Sequence, residues 1–237
     1  MKPTGTAERS PRRAASCIVP AFNEAARITS VLSAICSAQL VDEIIVVDDG
    51  SEDDTAEVAA SHNGALVTRL PRNLGKAGAM CVGARRAKND VLVFLDADLL
   101  HLTPQHVDRL VAPVLAGEAD MTVGQFWSGS PFVTAWMRFC PAISGQRAMR
   151  TADFLAIPDL TSARFGVEVV ITRYAAARRL RTRYVHLPRI THVVKERKRG
   201  VVRGVCDRAT MYGQIAACIF RNGYETLSHR RDGDEPG

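Results

Sequence analysis

Two apolar runs that each end in paired carboxylates constrain this chain more than anything else in its sequence. Glu43-Ile44-Ile45-Val46-Val47 closes on Asp48-Asp49, and Val91-Leu92-Val93-Phe94-Leu95 closes on Asp96-Ala97-Asp98. Runs of this length and β-branched content read as buried parallel strands, which are apolar on both faces. The carboxyl end of such a strand opens into the crevice where α/β sheets bind ligands. Carboxylates crowded there repel one another unless a cation or hydrogen-bond donors offset their charge. One such pair reads equally well as a cap for the helix or turn that follows. Two pairs in the same half of the chain point instead to a site for a divalent metal and a nucleotide.

The spacing around these runs extends the pattern. Cys17-Ile18-Val19 is a first strand, and Pro20-Ala21-Phe22-Asn23-Glu24 turns it into a helix with apolar positions Ile28, Val31, Leu32 and Ile35. A helix is expected over 55–60, a strand over 65–69, a helix over 77–87, and a helix from Thr103-Pro104 to about Ala116. Strands alternating with helices at this spacing predict an α/β fold with a mostly parallel central sheet flanked by helices and joined by right-handed crossovers. Beyond Asp120 the alternation weakens. Strands are expected over 121–126, 144–150, 184–187 and 190–194, and helices over 167–179 and 201–220. Residues 1–15 read as a flexible basic arm, 16–126 as a nucleotide-binding half, 127–228 as the acceptor-binding half of the same domain, and 229–237 as a disordered tail.

Composition narrows the class. A chain of 237 residues with 46% hydrophobic content can bury a substantial core. No apolar run reaches the ~18 residues needed to span a bilayer, and the basic start is not followed by a signal-peptide core. A cytoplasmic location, with peripheral membrane contact as an option, is the expectation. The six cysteines are scattered without a C-x-x-C pair, which indicates neither a zinc site nor a disulfide framework. Between Arg173 and Arg203 there are eleven Lys or Arg against a single acid, Glu196. Such a segment suits phosphates, an anionic acceptor or an anionic membrane. Nucleic acid is not an expected partner, because aromatics are few there and no recognised binding motif interrupts the run.

The ordered motifs Val19-Pro20-Ala21-Phe22-Asn23-Glu24, Val46-Val47-Asp48-Asp49-Gly50-Ser51 with Asp53 and Thr55, Gly75-Lys76, and Asp96-Ala97-Asp98 resemble those of family 2 glycosyltransferases with the GT-A (Rossmann-like nucleotide-diphospho-sugar transferase) fold. The resemblance covers residues 16–126. Ser144-Gly145-Gln146-Arg147, Phe165-Gly166-Val167-Glu168 and His192 make the second half most similar to glucosyl-3-phosphoglycerate synthases and related sugar-transfer enzymes, polyprenyl-phosphate glycosyltransferases among them. It implies transfer of a hexose from a nucleotide-diphosphate sugar, UDP-glucose or similar, to a small phosphorylated or lipid-linked acceptor. It places Pro20, Ala21, Asn23 and Glu24 at the edge of the nucleotide pocket and Asp48 or Asp49 beside the base or ribose. Asp96 and Ala97 fall near the sugar or ribose, and Asp98 with His192 becomes the ligand set for Mg²⁺ or Mn²⁺.

The chemistry of these residue types agrees. A departing nucleoside diphosphate needs its charge neutralised, and Mg²⁺ commonly takes only one or two protein carboxylates beside phosphate oxygens and water. A nitrogen ligand such as His192 suits Mn²⁺ better. Lys76 follows a Gly-containing turn at a helix start, where backbone N–H groups and the ammonium can face phosphate. Gly75-Lys76 is not a Walker loop, since the glycine that motif requires upstream is missing. Glu168, expected to be buried among valines, would orient an acceptor hydroxyl, act as base, or pair with Arg147 or Arg164. The glycine-rich acceptor loop of the phosphoglycerate enzymes is not evident over 125–141, and a Q-x-x-R-W motif of processive synthases is missing, which favours a single transfer. Nucleotidyltransferases are the alternative from another class, but they would carry a Gly-rich basic loop after the first strand. A homodimer is compatible with the sequence.

Overall fold

The computed structural model describes residues 14–126, 144–162 and 166–192. Its elements run β1 (Ala15–Ala21), α1 (Ile28–Cys36), β2 (Val41–Asp48), α2 (Thr55–Ala60), β3 (Ala65–Arg69), α3 (Gly75–Arg86), β4 (Val91–Phe94), β5 (Leu99–Leu100), α4 (Pro104–Leu115), β6 (Met121–Phe126), β7 (Arg147–Arg150), α5 (Thr151–Leu155), a 3₁₀ turn at Leu160–Ser162, α6 (Val167–Ala177), β8 (Thr182–Leu187) and β9 (Thr191–His192). The expected arm over 1–15 is described only from Ala14, and the expected helix over 201–220 and the tail over 229–237 lie outside the described residues.

Seven strands form one sheet in the order β3-β2-β1-β4-β7-β6-β8. β1 pairs in parallel with both β2 and β4, β2 with β3, and β6 with β8, whereas β7 runs antiparallel between β4 and β6. The sheet is therefore mostly parallel, with one reversed strand that the apolar pattern of Arg147–Arg150 does not announce. Chain direction across the sheet turns back at β1, whose neighbours lead to β2 on one side and β4 on the other. That reversal opens a crevice outside the carboxyl ends of β1 and β4.

Alternation along the strands builds two cores. Cys17 and Val19 of β1 join Val31, Leu32 and Ile35 of α1 and Val107, Leu110 and Val111 of α4. Ile18, between them, faces the other way, with Leu92 and Phe94, into a cluster made by Met80 and Ala84 of α3, Phe154 of α5 and Ile171 and Ala175 of α6. Burial on both faces is why these strands read as continuous apolar runs. Gly83 lets α3 lie close on the sheet, since a Cβ there would run into Ile18 and Val47. Pro104 occupies the first turn of α4, where a missing N–H costs nothing.

The expected elements fall within a few residues of those observed, with three differences. The strand expected over 144–150 begins only at Arg147, because Ser144 to Gln146 form an irregular lead-in whose polar groups serve the site described below. The short α5 and β5 lacked a sequence signal, being too brief to show a period. Within the strand expected over 190–194, the described residues form β9 at Thr191–His192.

Part of the basic segment is internally compensated. Arg181 grips Asp120 through Nε and Nη2 at 3.0 and 2.8 Å, and Arg183 reaches Glu118 at 2.9 Å. Hydrogen bonding from Arg181 holds the Asp120 carboxyl down to about 2 against the opposing effect of burial. These pairs fasten β8 to the start of β6. They leave Arg178, Arg179 and Arg189 as exposed cations of the same stretch.

Candidate active site

The loops at the carboxyl ends of β1 and β2 are tied into one wall. Asn23 sits at φ 56°, a left-handed conformation that Asn tolerates better than most residues. Its N–H donates to Ser51 Oγ at 2.9 Å and its Oδ1 accepts from the Glu52 N–H at 2.9 Å. The Glu24 N–H donates to Thr55 Oγ1 at 2.8 Å, and the Glu24 carboxylate pairs with Arg27 at 2.6 Å. Pro20 and Ala21 lie on the last turns of β1, where the Ala21 carbonyl accepts from the Asp49 N–H at 2.8 Å.

Asp48 and Asp49 are adjacent but engaged differently. Asp49 accepts the N–H groups of Leu74 and Gly75 at 2.7 and 2.8 Å, so both of its oxygens hold the start of α3. Burial pushes its carboxyl up, while those two backbone donors pull the other way. Asp48 is fully buried, accepts the Ser51 N–H on Oδ1 at 3.0 Å, and leaves Oδ2 without a hydrogen bond, 3.4 Å from Arg69 Nε. An open cleft of about 410 Å³ lined by Gly50, Ser51, Arg69, Leu70 and Pro71 lies beside it. Sequence reasoning treated the two aspartates as interchangeable; their hydrogen bonds separate them into a loop anchor and a carboxylate with spare acceptor capacity.

Beyond β4 the side chains converge more tightly. Lys76, in the first turn of α3, places its ammonium 2.6 Å from Asp96 Oδ1 and 2.8 Å from Glu168 Oε1. Burial opposes its charge, but the two carboxylates outweigh it and hold the ammonium well above its ordinary range. Asp96 Oδ2 accepts from Gln146 Nε2 at 2.9 Å, and Gln146 Oε1 accepts from Ser144 Oγ at 3.2 Å. Arg147 is completely buried and donates to the Glu168 carbonyl at 3.2 Å and the Ser144 carbonyl at 2.5 Å. These contacts close a ring that runs Ser144, Gln146, Asp96, Lys76, Glu168, Arg147 and back to Ser144.

Glu168 departs from the expected environment. It is half-buried in the first turn of α6 and faces Lys76 instead of being enclosed by the neighbouring valines; Arg164 lies outside the described residues. Gln146, Ser144 and Gly145 were not singled out as site residues, although buried polar groups beside an arginine are a usable signal. Gly145 lies against the ion pair: a Cβ there would fall 2.6 Å from Lys76 Nζ and 2.7 Å from Asp96 Oδ2. Gly145→Ala is therefore expected to push both side chains apart while leaving the fold intact. Nucleotide affinity should drop at least about tenfold with a melting temperature within a few degrees of the parent, as read by calorimetry and thermal unfolding.

Ala97 is buried and Asp98 half-buried in the turn between β4 and β5. The register Leu99↔His192 brings the backbone of β9 beside the residue that follows Asp98, so His192 arrives at the strand that leaves the acidic turn. Among the described residues no group of three or more His, Cys, Asp or Glu side chains converges as a metal cage.

This architecture is a doubly wound α/β sheet with carboxylates and a lysine at its reversal point, the place where open sheets of this class bind ligands. Residues 16–174 match the sequence pattern of glycosyl transferase family 2, and the chain belongs to that family. It is 34% identical over 183 residues to glucosyl-3-phosphoglycerate synthase of Mycobacterium tuberculosis (strain ATCC 25618 / H37Rv), which covers 72% of this chain and 55% of the relative. It is 37% identical over 111 residues to undecaprenyl-phosphate 4-deoxy-4-formamido-L-arabinose transferase of Aeromonas hydrophila, covering 43% of this chain and 34% of that one. The chain thus spans about half the length of the mycobacterial synthase.

The crystal structure of the Mycobacterium tuberculosis synthase with Mn²⁺, UDP and glucosyl-3-phosphoglycerate superimposes with a TM-score of 0.68 at 28% identity, over 88% of this chain and 80% of that one. The same synthase with Mg²⁺ and UDP gives 0.68 at 28% identity over 88% and 79%. The fold is therefore GT-A, as the ordered motifs implied.

Proposed function

We propose that this protein is a metal-dependent glycosyltransferase that moves a hexose from a UDP-linked donor to a phosphorylated acceptor. The observation that carries the reading is Lys76 held between Asp96 and Glu168 at the point where the sheet order reverses. A diphosphate entering there meets an ammonium already oriented and charged, and as the glycosidic bond breaks that ammonium offsets the charge growing on the leaving group. Asp98 and His192 are the residues to hold Mg²⁺ or Mn²⁺, which when bound neutralises the same diphosphate. Once phosphate competes for Lys76, Glu168 is free to accept a hydrogen bond from an acceptor hydroxyl. Asp48 keeps a buried spare oxygen next to Arg69, which lines the cleft with Ser51, and with Arg69 moved aside that oxygen would accept from a base that presents an N–H, as uracil does.

The similarity to a synthase solved with UDP, Mn²⁺ and glucosyl-3-phosphoglycerate supports the donor and acceptor classes. A lipid-linked polyprenyl phosphate is the second reading. The undecaprenyl-phosphate relative and the exposed Arg178, Arg179 and Arg189 favour it, at about 1 kcal/mol per basic residue near an anionic surface. The test is a thermal-shift screen of UDP-, GDP- and ADP-sugars with and without Mn²⁺, followed by release of nucleoside diphosphate. UDP-sugars are expected to raise the melting temperature only when Mn²⁺ is present. No metal-stimulated shift and no diphosphate release with any sugar nucleotide would overturn the transferase reading. Co-sedimentation with anionic liposomes separates the lipid acceptor from a soluble one.

A further inference from the structure

We infer that Gln146 is a positioning residue that sets the donor affinity of this site by fixing the carboxylate of Asp96. The inference rests on the transferase reading for its consequence but on geometry for its cause. Gln146 is completely buried, and its two amide atoms are both committed: Nε2 donates to Asp96 Oδ2 at 2.9 Å, and Oε1 accepts from Ser144 Oγ at 3.2 Å. The Asp96 carboxylate selects which way the amide faces, because it only accepts and a flipped amide would set an acceptor against it; the Ser144 hydroxyl then donates to the amide oxygen and steadies that orientation.

Main-chain bonds hold the segment that carries the amide. The Gln146 carbonyl accepts the Gly124 N–H at 2.8 Å on β6, and Arg147 grips the Ser144 carbonyl at 2.5 Å. Asp96, by contrast, lies beyond the last residue of β4, in the turn that leads to β5. Its carboxylate is held from two sides, by the Lys76 ammonium on Oδ1 and by the Gln146 amide on Oδ2. A diphosphate that draws Lys76 away removes the first of these contacts at the moment of binding. The Gln146 amide contact survives that step, and it keeps Asp96 from following Lys76 or turning towards Glu168.

Gln146→Leu, similar in size and without a donor, removes the contact to Asp96. Ser144→Ala leaves the amide and its contact to Asp96 but removes the hydrogen bond that steadies the amide oxygen. With Mn²⁺ and UDP as the probe, the leucine variant is expected to bind UDP about tenfold more weakly, and the alanine variant to show a smaller loss in the same direction. A merely structural role would lower the number of binding-competent molecules and the melting temperature while leaving the dissociation constant of the remaining sites unchanged. That result, or parental affinity in Gln146→Leu, would overturn the inference. Ligand-free crystal structures of Lys76→Met and of Lys76→Met combined with Gln146→Leu test the geometry even if the parent protein binds no UDP, because both lack the ammonium that otherwise holds Oδ1. Asp96 retained in the first and displaced in the second supports the positioning role, and Asp96 in the same place in both overturns it.

Discussion

Asp98→Ala should lose metal-dependent turnover by about 10²–10³-fold while melting close to the parent protein. The expectation follows from where Asp98 lies: half-buried in the turn after β4, outside both apolar clusters, on the strand end that points into the crevice. Removing it creates no core cavity, so the stability cost stays below the roughly 2–5 kcal/mol of a large-to-small core truncation. The catalytic cost is larger, because with few protein ligands each carboxylate carries much of the ion's affinity. Two readings of the same variant separate the effects. UDP affinity should lose its dependence on Mn²⁺, and sugar-nucleotide hydrolysis should fall at saturating donor. Unchanged turnover would remove Asp98 from the metal site. Asp96→Asn, tested beside it, should behave differently, weakening the ion pair with Lys76 and lowering UDP affinity with or without metal.

The fold of the first half, from β1 to α4, was legible because its signals are local. Apolar runs over 43–47 and 91–95, each ending in carboxylates, state both the strand and the end of it that matters, and β1 to α4 follow the expected alternation. The roles inside the acidic pairs were not legible. Asp48 and Asp49 are neighbours in sequence, and only the backbone amides of Leu74 and Gly75, arriving from the β3–α3 connection, convert one of them into a loop anchor. Glu168 misled for a related reason. Its valine neighbours suggested enclosure, but its position in the first turn of α6 turns the carboxylate towards a lysine 92 residues away in sequence. The ring through Ser144, Gln146 and Arg147 depends on β7 entering the sheet antiparallel between β4 and β6, a pairing between distant segments that no local period encodes.

Arg147 is where that pairing bears most heavily on stability. A guanidinium with no exposed surface is costly to bury, and burial pulls its pKa down to about 10 against the opposing influence of Glu168, Asp96 and Tyr184. It nevertheless remains charged at neutral pH, and its fork ties two carbonyls on different segments, Ser144 before β7 and Glu168 in α6. Arg147→Met fills much of the volume but takes the guanidinium donor from the Ser144 carbonyl and one of two side-chain donors from the Glu168 carbonyl, which keeps Thr172 Oγ1 at 2.8 Å, and it removes the cation that faces Asp96 and Glu168. Breaking a buried charged network from one side costs about 3–5 kcal/mol. At about 2–4 °C per kcal/mol for a chain of this size, the melting temperature should fall by about 6–20 °C. Arg147→Lys should recover only part of the loss, because an ammonium on a flexible stem does not reproduce the planar fork. Replacement of a buried ion pair by an apolar side chain is sometimes neutral, and the Ser144 carbonyl together with the carboxylates of Asp96 and Glu168 decides the sign here. A methionine variant as stable as the parent would mean that the desolvation of Arg147 cancels its hydrogen bonds, and the ring would then organise the site without stabilising the fold.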